Sequence, residues 1–351
     1  MNDRKENQRE RYLRGAKKFE QKREHLAQKK RRAASRERGS ELDWPDSARG
    51  RVVRVVEVLR TEVRVRDGDV ERAALVAPSA RGAGGLAVGD EVALTGDFDD
   101  PTATLRVTER GPRRTALVRR RPGHGAATKV LAVNVDLGLV VLAPRREGLS
   151  LGFLERAVAA LTAGGIEPRI VVTKVDLQDA VRRAQLDDAL APWTRQGHVV
   201  ARVSAVTGEG IADLRAALAG RVSVLLGHSG VGKSTLVNAL DPAAGQFVGA
   251  VRQADGRGRH TTTSARLIPF VAGGGLVDTP GVRQLVPDGV EVAALAAGLP
   301  DLAPYLGRCR FQDCTHGLEP GCAVLEAAAS DGRVAQALRR LQRLIDSIEA
   351  E

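Results

Sequence analysis

Gly227-His228-Ser229-Gly230-Val231-Gly232-Lys233-Ser234 fits the pattern G-x-x-x-x-G-K-[ST] at every fixed position, and Thr235 continues into an expected helix. A loop of this composition turns backbone N–H groups inward at a helix N-terminus, where they hold phosphate oxygens. In that setting Lys233 reaches the β and γ phosphates of a bound nucleotide and the Ser234 hydroxyl ligates magnesium. The context agrees, because the apolar run Val222–Leu226 reads as a strand and Thr235–Leu240 as a helix. His228 reads as filling space, since backbone groups do the phosphate work. A second cluster, Cys309-x4-Cys314-x-His316-x5-Cys322, uses all 3 cysteines of the chain and one of its 6 histidines. Three thiolates and an imidazole make a closed tetrahedral set of the kind structural zinc prefers, with no position left for a reacting water. Such a metal folds a small knuckle rather than catalysing.

Two further sites bear on which nucleotide is held. Thr173-Lys174-Val175-Asp176 ends the apolar run Ile170–Val172 and looks like the guanine-reading motif Asn-Lys-x-Asp of GTPases, with Thr173 in place of Asn. The Asp176 carboxylate would accept from the N1–H and 2-amino groups of guanine, a pattern adenine does not offer. Ser204-Ala205, after the next strand-like run, resembles the short motif that backs the guanine ring. Asp278-Thr279-Pro280-Gly281 follows Gly275–Val277 and resembles the D-x-x-G motif, in which Asp278 holds magnesium through water and the Gly281 N–H senses the γ phosphate. Between it and the phosphate loop lies the glycine-rich stretch 256–263, as expected of a loop ordered by nucleotide; Thr262, or next Thr261, is the expected second protein ligand of magnesium. Val282 stands after Gly281 where a Ras-like enzyme has glutamine, so slow intrinsic hydrolysis is expected, with His260 the candidate for orienting water.

These residues need elements to hold them. From 119 onward Val-rich runs (Lys129–Leu142, Arg169–Thr173, Val199–Val203, Val222–Leu226) alternate with helical stretches such as Leu154–Ala163 and Ile211–Ala219, the βαβ signature of a mostly parallel sheet. Before it, residues 46–118 carry about five short strands with turn punctuation, Val63 and Val65 alternating with Arg64 and Arg66 before Asp67-Gly68. That pattern suits a small closed barrel of the OB type, with an SH3-like barrel the alternative. After the Cys/His cluster an amphipathic helix is expected over about 332–350.

Composition sets the outer limits. With 351 residues, 43% hydrophobic and 28% charged, the chain is neither a disordered polymer nor a membrane protein, and no long apolar run marks a span or a secretory signal. So few cysteines suit a reducing cytoplasm. The net charge of +11 is concentrated in residues 1–40, which hold 15 Lys+Arg against 6 Asp+Glu, a basic tail whose natural partner is a polyanion. Beyond residue 40 only Lys129, Lys174 and Lys233 are lysines among 39 basic residues, and two of these sit in the nucleotide motifs. A chain so biased to arginine keeps lysine where a slim ammonium is needed.

The order of the motifs is unusual. A Ras-like GTPase presents the phosphate loop first and the guanine motifs last; here 173–176 and 204–205 precede 227–234 and 278–281. Circular permutation keeps such a sheet intact because the original termini lie close together. On these residues the chain resembles the circularly permuted GTPases of the RsgA (YjeQ) type, the small ribosomal subunit biogenesis GTPases, over roughly residues 50–350. Composition sets off a basic tail at 1–45, where no resemblance is claimed, and the resemblance implies a barrel at 46–118, a permuted α/β GTPase domain at 119–290 and a helical zinc domain at 291–351. It also implies GTP binding and hydrolysis to GDP, a late role in small-subunit maturation with contacts to ribosomal RNA, and stimulation by the subunit; the composition suits a cytoplasmic protein with no membrane partner, and a monomer is the default expectation. Two rivals share parts of this pattern: an RNA-binding protein with a degenerate nucleotide site, and a permuted GTPase acting on the large subunit or another RNA.

Overall fold

The first five strands close on themselves. They are β1 (Arg51–Val58), β2 (Glu62–Asp67), β3 (Val70–Val76), β4 (Glu91–Thr95) and β5 (Leu105–Arg110). The neighbour order runs β1-β2-β3-β5-β4 and β4 returns to β1, with β3 and β5 parallel and the other pairs antiparallel. This closure leaves a five-stranded barrel of the OB arrangement. Val53, Val55, Val63, Val65, Val92, Leu94, Leu105 and Val107 fill its interior with Phe98. Asp67 pairs with Val70 across a two-residue turn in which Gly68 has φ +55°, a conformation that suits glycine.

The computed structural model describes residues 51–81, 85–120, 128–144, 148–245, 265–278 and 292–349, all within one unit, Arg49–Glu351. The basic tail 1–45, the stretch with His260, Thr261 and Thr262, and Gly281 with Val282 lie outside the described residues. Among those described, no helix is long and apolar enough to cross a membrane.

A hairpin follows the barrel, β6 (Ala116–Arg120) with β7 (Thr128–Val133). The expected single run Lys129–Leu142 is in fact two strands, β7 and β8 (Leu137–Leu142). Asn134 breaks it: the residue is buried at φ 51°, donates to the Gly89 carbonyl (3.1 Å) and accepts from the Arg114 N–H (2.9 Å). The main sheet then adds β9 (Glu167–Val172), β10 (Val200–Arg202), β11 (Val222–Leu226), β12 (Arg266–Pro269) and β13 (Gly275–Asp278). Its spatial order is β10-β9-β8-β11-β13-β12, parallel throughout except for β12. Every residue of β8 and β11 is buried, as expected of central parallel strands covered on both faces. β12 also pairs with β1, so barrel and sheet share hydrogen bonds, and Arg266 reaches Glu57 (2.9 Å) and Glu71 (3.0 Å) across the join.

The helices are α1 (Leu151–Ala163), α2 (Ala180–Arg195), α3 (Ile211–Leu218), α4 (Lys233–Leu240), α5 (Val292–Ala297), α6 (Ala323–Ser330) and α7 (Gly332–Glu349). Helix α1 is buried on nearly every side, from Phe153 through Leu161, because the sheet covers one face and α5 and α7 cover the other. On that second face Ala159 joins the core of the C-terminal helices with Leu295, Leu299, Leu302, Val334 and Leu341. Gly298 lies so close that a Cβ would come within 2.9 Å of the Ala159 Cβ. Helix α2 had no sequence expectation; its anchors Leu186, Leu190 and Trp193 form one narrow stripe on an otherwise polar segment.

Candidate functional site

The phosphate loop connects β11 to α4, as the strand and helix propensities on either side require. Lys233 and Ser234 are the first residues of α4, so the helix starts two residues before the expected Thr235. Gly230 (φ +80°) and Gly232 (φ +91°) take left-handed conformations that let the loop curl. The ammonium of Lys233 donates to the carbonyls of Gly227 (2.6 Å) and His228 (2.8 Å), inside the curl of the loop. The His228 ring lies 4.5 Å from that of Phe153, and its Nε2 is 3.3 Å from the Ser150 hydroxyl.

The TKVD segment meets this loop directly. Strand β9 ends one strand away from β11, and its continuation crosses over the loop. The Thr173 hydroxyl, buried, donates to the Val231 carbonyl (2.6 Å), with the Leu142 carbonyl 3.1 Å away. Lys174 takes a left-handed turn (φ 59°) and its ammonium donates to the Gly230 carbonyl (2.8 Å). Val175–Leu177 then form a single 3-10 turn that carries the half-buried Asp176. Arg183 braces this turn, donating to the Val175 carbonyl (3.1 Å) while pairing with Glu209 (3.2 Å). No sequence signal distinguishes Arg183 from the chain's many other arginines. Ser204 is fully buried beside the same turn, its hydroxyl accepting from the N–H groups of Val206 (3.2 Å) and Thr207 (3.1 Å). Ala205, half-buried, follows it. Asp278 is at the tip of β13, next to β11 on the side away from β8.

The structure therefore brings Thr173, Lys174, Val175, Asp176, Ser204 and Ala205 to the same sheet edge as residues 227–235 and Asp278. Thr261, Thr262, His260 and Gly281 lie outside the described residues.

The Cys/His cluster is compact. One ligand atom from each of Cys309, Cys314, His316 and Cys322 falls within 4.8 Å of the others. The Sγ atoms of Cys309 and Cys322 are 3.9 Å apart, and His316 Nδ1 is 3.6 Å and 3.4 Å from them. A tetrahedral ion with bonds of about 2.3 Å to sulfur and about 2.0 Å to nitrogen has edges of roughly 3.8 Å (S–S) and 3.5 Å (S–N). The donor set thus already has the size of a metal site. Burial and the neighbouring Cys322 and Cys309 thiols push the Cys314 thiol up to about 12, a penalty that a cation between the sulfurs would remove. Burial also lowers the His316 pKa and keeps its ring in the neutral, ligating form. The turn between ligands is set by Glu319, whose carboxylate accepts from the Thr315 hydroxyl and from the N–H groups of Thr315 and Gly317 (both 2.8 Å) and is held down to about 2. Cys322 doubles as the cap of α6, accepting from the Leu325 N–H (3.5 Å).

A central strand feeding a phosphate loop, with the base-reading strands on one side and the DTPG strand on the other, defines a phosphate-loop GTPase domain; the chain order makes it a circularly permuted one. A family model described as RsgA GTPase matches residues 110–286. The chain is 36% identical to the small ribosomal subunit biogenesis GTPase RsgA of Sodalis glossinidius over 93% of its own length and 95% of that protein's. It is 43% identical to the protein of the same name from Azotobacter vinelandii over 64% of each chain, less than two thirds of that relative's length. Among solved structures it resembles YjeQ from Thermotoga maritima (TM-score 0.64, 26% identity, 84% of this chain and 98% of that one). The fold is shared too by YloQ, described as a circularly permuted GTPase (TM-score 0.61, 22% identity, 84% and 95% covered). The chain belongs to the RsgA GTPase family.

Proposed function

We propose that this protein binds and hydrolyses GTP and that it acts in late maturation of the small ribosomal subunit, which stimulates the hydrolysis. The observation that carries the reading is the pair of hydrogen bonds from Thr173 and Lys174 to the phosphate-loop carbonyls of Val231 and Gly230. They hold the TKVD turn directly against the phosphate loop. Asp176 then reads guanine with Ser204 and Ala205 behind it, while Gly227, His228, Ser229, Gly230, Val231, Gly232 and Thr235 contribute loop and helix-start N–H groups to the phosphates. Lys233 leaves the carbonyls of Gly227 and His228 to meet the β and γ oxygens, offsetting the charge that develops as the terminal phosphoryl group departs. Ser234 and Asp278, the latter through water, hold magnesium with Thr262 or Thr261, and Gly281 senses the γ phosphate. His260 orients the attacking water.

Zinc is the ion for Cys309, Cys314, His316 and Cys322, because a closed thiolate-rich tetrahedron suits it and leaves no site for substrate. The barrel, the zinc domain and the basic tail form the surface for ribosomal RNA. GTP favours the bound form and hydrolysis releases it. The relatives named as small ribosomal subunit biogenesis GTPases support this partner, and the protein is proposed to work as a monomer in the cytoplasm. The domains divide near 45, 118 and 290. Measuring phosphate release with isolated small or large subunits tests the reading: a large stimulation by small subunits alone is expected, and stimulation by neither would remove the ribosomal part.

A further inference from the structure

Ser150 stands at the N-cap of α1, a position where serine normally turns its hydroxyl back onto its own helix. It makes no such bond; the hydroxyl faces His228 Nε2 at 3.3 Å instead. Phe153, one turn into the same helix and 2% exposed, packs its ring 4.5 Å from the His228 imidazole. Helix α1 is held on both faces. The sheet grips one face, and on the other its Glu155 carboxylate pairs with Arg340 (2.9 Å) and Ala159 is packed against Gly298. The backbone carbonyl of His228 is also one of the two that receive the Lys233 ammonium. The residue therefore has its side chain fixed to a rigid helix and its main chain on the key cation of the phosphate loop.

We propose that His228 is a positioning residue, which ties the phosphate loop to the N-terminal end of α1 through Ser150 and Phe153 and so pre-forms the loop for nucleotide. Its side chain stands apart from the phosphates and works through the loop backbone and Lys233. A loop held in its binding shape gives up less conformational freedom when phosphate arrives, so the tie strengthens binding of GDP and GTP alike and leaves the chemical step unchanged. The inference rests on the reading that the loop holds GTP.

Titration of the full-length protein with fluorescent GDP and GTP analogues, together with steady-state hydrolysis, tests it. His228→Ala is expected to weaken both affinities by roughly tenfold, about one hydrogen bond plus one ring contact, with the loss in kcat/KM appearing mainly in KM. Ser150→Ala, which removes no helix cap, is expected to weaken binding several-fold at an unchanged melting temperature. The double variant should bind no more weakly than His228→Ala, because the two residues act through one contact. His228→Gln, which keeps a polar group for Ser150, should recover part of the loss. Unchanged affinity in both single variants, additive losses in the double variant, or a fall in kcat at constant affinity would each overturn the proposal. Failure of the unaltered protein to bind either analogue would instead sink the GTP reading itself.

Discussion

At the scale of the residue, the guanine motif shows how one replacement is accommodated. Asparagine is usual where Thr173 stands, yet the Thr173 hydroxyl spends its single proton on the loop carbonyl of Val231. Thr173→Val keeps the shape and removes the proton, leaving a buried carbonyl short of a partner at a cost of about 1–2 kcal/mol. The expected outcome is a lower denaturation midpoint and a raised KM for GTP, with Thr173→Ser close to the unaltered protein. Lys233→Ala removes the ammonium that sits on the Gly227 and His228 carbonyls and is expected to cut phosphate release by at least about a hundredfold, since the transition-state charge loses a close cation. A degenerate nucleotide site would show no difference between that variant and the parent.

At the scale of the element, α2 carries a pH signature. His198 follows this helix, its ring 5.5 Å from that of Trp193, and burial lowers its pKa below the ordinary 6.5. The folded chain thus binds this proton more weakly than the unfolded one. The neutral-ring contribution to stability is complete above pH 6.5 and is lost as pH falls below it. Urea midpoints measured from pH 7.5 down to 5.5 should decline, and His198→Phe should flatten that part of the decline. In the segment carrying the Cys/His donors, residues 307–322 contain no regular helix or strand, and the donors are its centre. If the proposed metal is held there, a chelator should lower the melting temperature, and Cys314→Ser should abolish metal binding and the chelator effect together.

At the scale of the whole molecule, the barrel and the main sheet are joined where β1 meets β12. Arg266 neutralises Glu57 and Glu71 there, and all three side chains are about four-fifths buried. Removing the arginine breaks the link between Glu57 and Glu71 but leaves Glu57 with Arg64 (3.6 Å) and Glu71 with Arg66 (2.8 Å), so Arg266→Ala should destabilise the protein by about 1–2 kcal/mol in thermal or urea unfolding.

Two local clusters, the phosphate loop and the Cys/His set, were legible in the chain. A phosphate loop needs glycines and a lysine within eight consecutive positions, and a metal knuckle needs its donors within fourteen, so both are written in short sequence windows. The parallel sheet and the barrel strands followed from apolar runs and turn residues, which report burial and backbone freedom directly. The break at Asn134 and helix α2 were not legible. The first exists because Gly89, 45 residues earlier, supplies a carbonyl for its side chain, and the second is anchored by only a few apolar residues. Tertiary structure alone decided the contacts between distant segments: Thr173 on the Val231 carbonyl, Ser150 turned from its helix to His228, Arg183 beneath the guanine turn. Each is a single hydrogen bond worth little in isolation, and its partner is chosen by which strands lie side by side. Motif residues are determined by the ligand they must fit, whereas the residues that position them are determined by the fold.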